Sequence, residues 1–205
     1  MKIKVSKYIS KFLVKNGIRD CFMVTGGGAM HLNDAIGHQE GLCCTFHHHE
    51  QACAIAAEGY TRLTGRLAAV CVTSGPGGTN AMTGVLGGWA DSIPMFVISG
   101  QAKRSDLIGD SGVRQIGSQE VQIIDMVKPI TKYAVQVMEP NQIRYHMERA
   151  YYEAVSNRPG PVWLSIPLDV QAAEIDPNQL EGYIIPEGNA QDVSGEIGKT
   201  ISLLK

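Results

Sequence analysis

No stretch of this sequence approaches the roughly 20 consecutive apolar residues that a bilayer-spanning helix needs, and aromatic residues make up only 6% of it. A membrane partner is therefore not expected. Charge of one sign is also missing: 18 Lys and Arg are scattered among 20 Asp and Glu, leaving a net charge of −2. Without a basic stripe there is no electrostatic footprint for nucleic acid or an acidic lipid surface, so small, roughly neutral partners are favoured. The five cysteines, Cys21, Cys43, Cys44, Cys53 and Cys71, form an odd set with no C-x-x-C pair. They read as small buried hydrophobes in a reducing compartment, and a cytoplasmic location is expected. Internal repeats and low-complexity tracts are absent. The opening MKIKVSKYISKFLVKNG carries lysines but no signal-peptide apolar run. It reads as an amphipathic helix of the fold, with Val5, Ile9, Phe12 and Leu13 on one face.

What is present is an alternation. CFMVT (21–25), CCTFH (43–47), LAAVCVTS (67–74), IPMFVIS (93–99), ITKYAVQV (130–137) and PVWLSIP (161–167) are short apolar runs bounded by Gly or Pro, and read as strands. Between them EQACAIAAEGYTRLTG, GTNAMTGVLGGWAD, EVQIIDMV and NQIRYHMERAYYEAVSN repeat apolar residues at helical spacing. The strands lack polar alternation, which predicts a parallel sheet buried on both faces and an α/β open-sheet fold with right-handed crossovers.

Two regions break this rhythm. GQAKRSDLIGDSGVRQIGSQ (100–119) is polar, Gly-rich and without a confident element, and it follows the carboxyl end of a strand. Ligands of open α/β sheets bind outside those ends, so the loop is a candidate part of a site. The tail LDVQAAEIDPNQLEGYIIPEGNAQ reads as a linker, and DVSGEIGKTISLLK begins a helix with Ile197, Ile201 and Leu204 on one face. A second, cut-off domain is expected there.

Two glycine-rich turns follow strand candidates, TGGGAMHLN (25–33) and TSGPGGTNAMTG (73–84). Glycine there permits close backbone approach and exposes N–H groups at a helix start. Neither turn has full G-x-G-x-x-G spacing or a Gly-Lys-Ser/Thr, so their chemistry stays open between ligand contact and plain turn. The run His47-His48-His49 invites a metal reading, but side chains alternate along a strand and H-E-x-x-H spacing is lacking. No second His/Cys cluster has finger-like spacing either, so no metal is expected at these residues. Glu50 differs, standing where a strand gives way to an alanine-rich helix on the side of both glycine turns. Taken alone, it is equally an ordinary helix-start carboxylate.

Together, HHEQACAIAAEGYTRLTGR, AAVCVTSGPGGTN and GGWADSIPMFVISGQ, closed by NRPGPVWLSIPLDV, resemble the pyrimidine-binding domain of thiamine diphosphate enzymes of the acetolactate synthase group. The resemblance covers residues 2 to about 170. It implies a Rossmann-like three-layer sandwich with an open parallel sheet of about six strands. It further implies a pyrimidine-binding domain over 1–170, a linker over 171–190, and the start of a central domain over 191–205. By the same resemblance Glu50 is the family's catalytic glutamate, which hydrogen-bonds to N1′ of the aminopyrimidine and favours the tautomer that activates thiazolium C2. The resemblance places Thr25, Gly26, Gly27, Pro76 and Asn80 beside the cofactor and Ser118 and Gln119 on the substrate side. Its partners would be a second copy of the chain, as homodimer or tetramer, and a 2-oxo acid such as pyruvate. In this family Mg²⁺ holds the diphosphate through a Gly-Asp-Gly…Asn motif in another domain, and that motif is absent here. Flavin (FAD) contacts, where the group has them, also lie mainly outside this domain.

Two segments depart from acetolactate synthases: Thr25-Gly26-Gly27-Gly28 stands for Tyr-Pro-Gly-Gly, and Ser118-Gln119-Glu120 for Phe-Gln-Glu. The loop over 100–119 is also longer. These versions resemble acetolactate synthase-like proteins of surface-sugar synthesis, which implies a keto-sugar acceptor. Two other readings stay open from sequence: the pyrimidine-binding subunit of a two-chain decarboxylase, and a noncatalytic nucleotide-binding α/β module.

Overall fold

The computed structural model describes residues 1–186 and 194–204. The chain opens with a two-residue strand, β1 (Ile3–Lys4), and runs directly into α1 (Val5–Lys15). Next come β2 (Asp20–Met23), α2 (Met30–Gly37), β3 (Cys43–Phe46), α3 (Glu50–Thr64), β4 (Ala68–Val72), α4 (Pro76–Asp91) and β5 (Met95–Gln101). The second half supplies α5 (Ile123–Val127), β6 (Tyr133–Gln136), α6 (Ile143–Val155), β7 (Val162–Pro167), α7 (Leu168–Ala172), β8 (Glu174–Ile175) and α8 (Ser194–Leu203).

Six strands form one sheet in the order β3-β2-β4-β5-β7-β6, and every pairing in it is parallel. This is the open α/β architecture expected from the apolar runs. All residues of β4, β5 and β7 are buried, since helices cover both faces, whereas the edge strand β3 is largely exposed. One face carries α1, α2, α6 and α7 over Met23, Cys71, Phe96, Ile98 and Leu164. The other carries α3, α4 and α5 over Val70, Val72, Val97 and Trp163. Val5, Ile9, Phe12 and Leu13 are all buried, as the helical spacing predicts. Each such side chain contributes roughly 1.5–3 kcal/mol of burial.

The cysteine expectation holds only in part. Cys21, Cys53 and Cys71 are buried, but Cys44 is half-buried and Cys43 exposed, because both lie on the uncovered edge strand.

The tail also differs in part from a plain linker. Gln171 and Leu180 are buried, and β8 pairs antiparallel with β1 (Ile3 with Ile175). Arg144 donates to the Leu180 carbonyl at 3.0 Å, and the Tyr183 amide to Glu148 at 2.7 Å. Residues 171–183 thus lie on the domain; the expected linker over 171–190 and second-domain start over 191–205 lie outside the described residues at 187–193 and 205. The side chains of α8 are exposed. Among the described residues no helix is long and apolar enough to cross a membrane.

Candidate cofactor site

The strand order reverses between β2 and β4, whose onward connections leave toward opposite faces of the sheet, and ligands of open α/β sheets bind in the crevice outside the carboxyl ends at such a point. Both glycine-rich turns and the start of α3 meet there.

Glu50 is the first residue of α3 and is half-buried. His49 caps that helix, its Nδ1 accepting the Gln51 amide at 3.1 Å, and Gly65 ends it in a left-handed conformation (φ 68°). α4 begins after Gly75, with Pro76 preset for the first helical turn and exposed. One turn into α4, Asn80 Nδ2 donates to Glu50 Oε2 at 2.9 Å. Among the described residues Oε1 has no donor, and a Cβ at Gly77 would lie 3.4 Å from it. One carboxylate oxygen is thus held, and the other is left without a protein donor among the described residues. Cys53, one turn further along α3, is kept a neutral thiol: burial first, then the Glu50 charge, push it up to about 12.

The first turn is packed rather than cradling. A Cβ at Gly26 would fall 2.5 Å from Thr73 Cβ, and one at Gly28 2.5 Å from Ser74 Oγ, whereas Gly27 faces open space. The Gly28 amide donates to Thr73 Oγ1 at 3.1 Å, and Asn33 Nδ2 donates to the Gly26 carbonyl at 3.2 Å. From the other side the buried Gln171 donates to the Gly28 carbonyl at 2.8 Å and to Ile166 at 2.8 Å. A Cβ at Gly100 would sit 2.1 Å from that same Gly28 oxygen, so β5 needs glycine where the turn crosses it. α7, which carries Gln171, is itself anchored: the Arg104 amide and Nε donate to Asp169 at 3.0 and 2.7 Å. Burial would raise the Asp169 carboxyl, but the bonds and charge from Arg104 outweigh it and hold it below the usual carboxylate range.

Of the residues singled out in sequence, Glu50 and Asn80 meet directly. Gly26 packs on Thr73, the hub between both turns. Gln119 takes a positive φ (56°), and its carbonyl lies 2.1 Å from where a Gly75 Cβ would be. Thr25 and Ser118 are exposed at the ends of these segments. The histidines diverge: His47 packs against the Phe22 ring (centroids 5.9 Å apart), His48 is exposed and His49 caps α3. Among the described residues no group of three or more His, Cys, Asp or Glu is arranged to hold a metal ion. Sequence reasoning missed Thr73 and Gln171. A lone Thr before a glycine turn and a Gln in a polar tail carry no local signal.

The arrangement fits an aminopyrimidine by its own features: a carboxylate with one oxygen oriented by Asn80 and the other without a protein donor among the described residues, and Gly27 facing open space in the neighbouring turn. Comparison with known families agrees. Residues 3–126 match the family described as thiamine pyrophosphate enzyme, N-terminal TPP binding domain. The acetolactate synthase large subunit of Haemophilus influenzae is 36% identical over 186 residues, covering 91% of this chain and 31% of that protein. A probable acetolactate synthase large subunit of Methanocaldococcus jannaschii is 37% identical over 200 residues (97% and 32%). The isozyme 3 large subunit of Escherichia coli is 34% identical over 182 residues (89% and 30%). The chain spans about a third of the length of these relatives.

Proposed function

The chain belongs to the thiamine pyrophosphate enzymes, with the N-terminal TPP-binding domain of that family, and from this premise we propose that it is the cofactor-activating part of an acetolactate synthase-like carboligase or decarboxylase acting on a 2-oxo acid such as pyruvate. The observation that carries the reading is the Glu50 carboxylate, fixed by Asn80 through Oε2 with Oε1 left without a protein donor among the described residues.

When bound, thiamine diphosphate supplies a carbon nucleophile and an electron sink for decarboxylation. The protein's part is placement and proton control. Glu50 offers Oε1 to a ring nitrogen and holds or returns the proton there. Asn80 stops the carboxylate from turning away. The first turn, gripped by Thr73, Asn33 and Gln171, forms a rigid wall beside the pyrimidine, with Thr25, Gly26 and Gly27 lining it and Pro76 at the opposite turn. Ser118 and Gln119 stand on the substrate side. Mg²⁺ and the diphosphate, and FAD if the complete protein takes one, belong outside these residues.

A second copy of the chain is the proposed partner, in a dimer or higher assembly. In its support, α3 and α4 pack closely, Gly84 lying against Ala54, and together present Ala52, Ile55, Gly59, Thr83, Leu86 and Ala90. Ile55 is 48% and Leu86 51% exposed, an apolar strip suited to its own twofold mate. A cytoplasmic setting fits the buried free thiols.

In the complete gene product supplied with thiamine diphosphate, Mg²⁺ and pyruvate, Glu50→Gln is expected to lower turnover by roughly 10²–10⁴-fold, the usual weight of a positioned acid or base. Cofactor binding, measured by calorimetry, should change far less. Undiminished turnover in the variant would overturn the assignment.

A further inference from the structure

Between β5 and α5 the chain runs from Ala102 to Gln122 with only one short 3₁₀ turn, Arg104–Asp106. A segment of this length with so little regular structure needs a physical reason to hold one shape. Glu120 supplies it. Its side chain is only 5% exposed, and its two carboxylate oxygens accept from the two limbs of the loop: Oε1 takes the Ile108 amide at 2.6 Å and Oε2 the Ile116 amide at 3.4 Å. Among the described residues these are its only side-chain hydrogen bonds, and no cation pairs with it. A carboxylate buried without partners is costly, so these two charge-assisted bonds both satisfy Glu120 and define the loop.

The base of the loop is closed as well. Gln101 Nε2 donates to the Val121 carbonyl at 2.8 Å, and the Glu120 amide to Gly117 at 3.2 Å. A Cβ at Gly117 would lie 2.5 Å from Ala102 Cβ and 2.8 Å from the Asp106 carbonyl, so the limbs touch. The residue before Glu120 is Gln119, whose positive φ turns its carbonyl onto Gly75 at the head of α4. Ser118 and Gln119 are therefore carried by a loop that one buried carboxylate ties shut.

We propose that Glu120 is a positioning residue: by bridging Ile108 and Ile116 it closes residues 107–119 into a preformed loop and sets Ser118 and Gln119 beside the crevice that holds Glu50. The catalytic consequence rests on the function proposed above; the structural one does not. A loop fixed before binding spares the substrate the cost of ordering it, so loosening it acts on use of the 2-oxo acid rather than on the thiamine side.

The test uses the complete gene product. In Glu120→Gln an amide NH₂ must face at least one backbone N–H. Amide hydrogen exchange at Ile108 and Ile116 is expected to rise about tenfold or more, the worth of one lost charge-assisted bond, while amides of β4 and β5 keep their protection. Trypsin cleavage after Arg114, exposed at the loop tip, should accelerate in parallel. Glu120→Asp, one methylene shorter, should keep the shorter Ile108 bond and lose protection at Ile116 alone; it also serves if the Gln variant fails to fold. With pyruvate, kcat/KM should fall about tenfold, with thiamine diphosphate affinity unchanged. Wild-type protection at both amides in the Gln or the Asp variant overturns the proposal. Loosened amides with unchanged kcat/KM overturn its catalytic part. If Glu50→Gln leaves turnover intact while the Glu120 variants loosen the loop, the function fails and the role of Glu120 stands.

Discussion

The two glycine-rich turns look alike in sequence and do different things. The first, after β2, has glycine at 26 and 28 because Thr73 and Ser74 leave no room for a side chain, and its backbone stays in ordinary conformations. The second, after β4, has Gly75 at φ 57°, a conformation in which a side chain is strained, with the Gln119 carbonyl pressed against it. Gly77 beside it is required chiefly by Thr73, whose Cγ2 would lie 2.7 Å from a Cβ there, while Glu50 Oε1 would be at an ordinary 3.4 Å. The first turn is a wedge held from behind, and the second is the hinge plate on which helix, loop and carboxylate meet. Glycine-richness after a strand thus marks crowding here as much as ligand approach.

Replacing each glycine by alanine should separate the two turns. Gly75→Ala combines a strained φ with a backbone clash and should cost about 3 kcal/mol. Gly26→Ala, which meets the branched Thr73, should cost about 2 kcal/mol, and Gly28→Ala, which meets the rotatable Ser74 hydroxyl, about 1 kcal/mol. Gly27→Ala meets nothing and should stay within about 0.5 kcal/mol of the parent. Urea unfolding of the four variants reads the series; equal losses at 26 and 27 would break the wedge description.

A smaller effect sharpens the role of Thr73. A Cβ at Gly77 meets Thr73 Cγ2 at 2.7 Å but Cβ only at 3.6 Å, whereas one at Gly26 meets Thr73 Cβ itself at 2.5 Å. Thr73→Ser removes Cγ2 alone. It should therefore recover about 1 kcal/mol of the loss in Gly77→Ala and much less in Gly26→Ala, measured as coupling in double-mutant cycles.

The smallest effect concerns the support behind the first turn. Asp169, which anchors α7 and so Gln171, has its folded value depressed by Arg104. A depressed carboxylate stabilises fully above its unfolded value of about 3.9, and that contribution is lost as pH falls through the lower folded value. Because both partners are about one-third exposed, solvent screens the pair and the gain is small. Asp169→Asn should flatten the fall in melting temperature below about pH 4, while the parent and variant run parallel above pH 5 or so; identical acid slopes would remove the anchor from the account.

Much of this was legible in the sequence for a simple reason. β4, β5 and β7 are buried on both faces, so their apolar runs announce themselves; Glu50 opens α3 behind its His49 cap and Asn80 lies one turn into α4, and only the family resemblance, not local pattern, singled them out for the cofactor. β1 and β8 escaped because a two-residue strand has no period to detect. α5 was expected from Glu120 but starts at Ile123, since Glu120 and Val121 are committed to the loop. Glu120 itself stood in view within SQE, yet its reach back to Ile108 is a tertiary fact that no local pattern encodes. Gln171 was hidden in a polar tail for the same reason.

The pairing of β1 with β8 also sets an order of events during synthesis. Ile3 leaves the ribosome about 170 residues before its partner Ile175, which at roughly 5–20 residues per second is a wait of some ten to thirty seconds. Nor can the six-stranded sheet close much earlier, because β7 (Val162–Pro167) lies between β5 and β6 and is made after both. For most of that interval the apolar stripe of α1 lacks α6 and α7 to lie against, and α1 stays half-covered until the later helices of this domain are made.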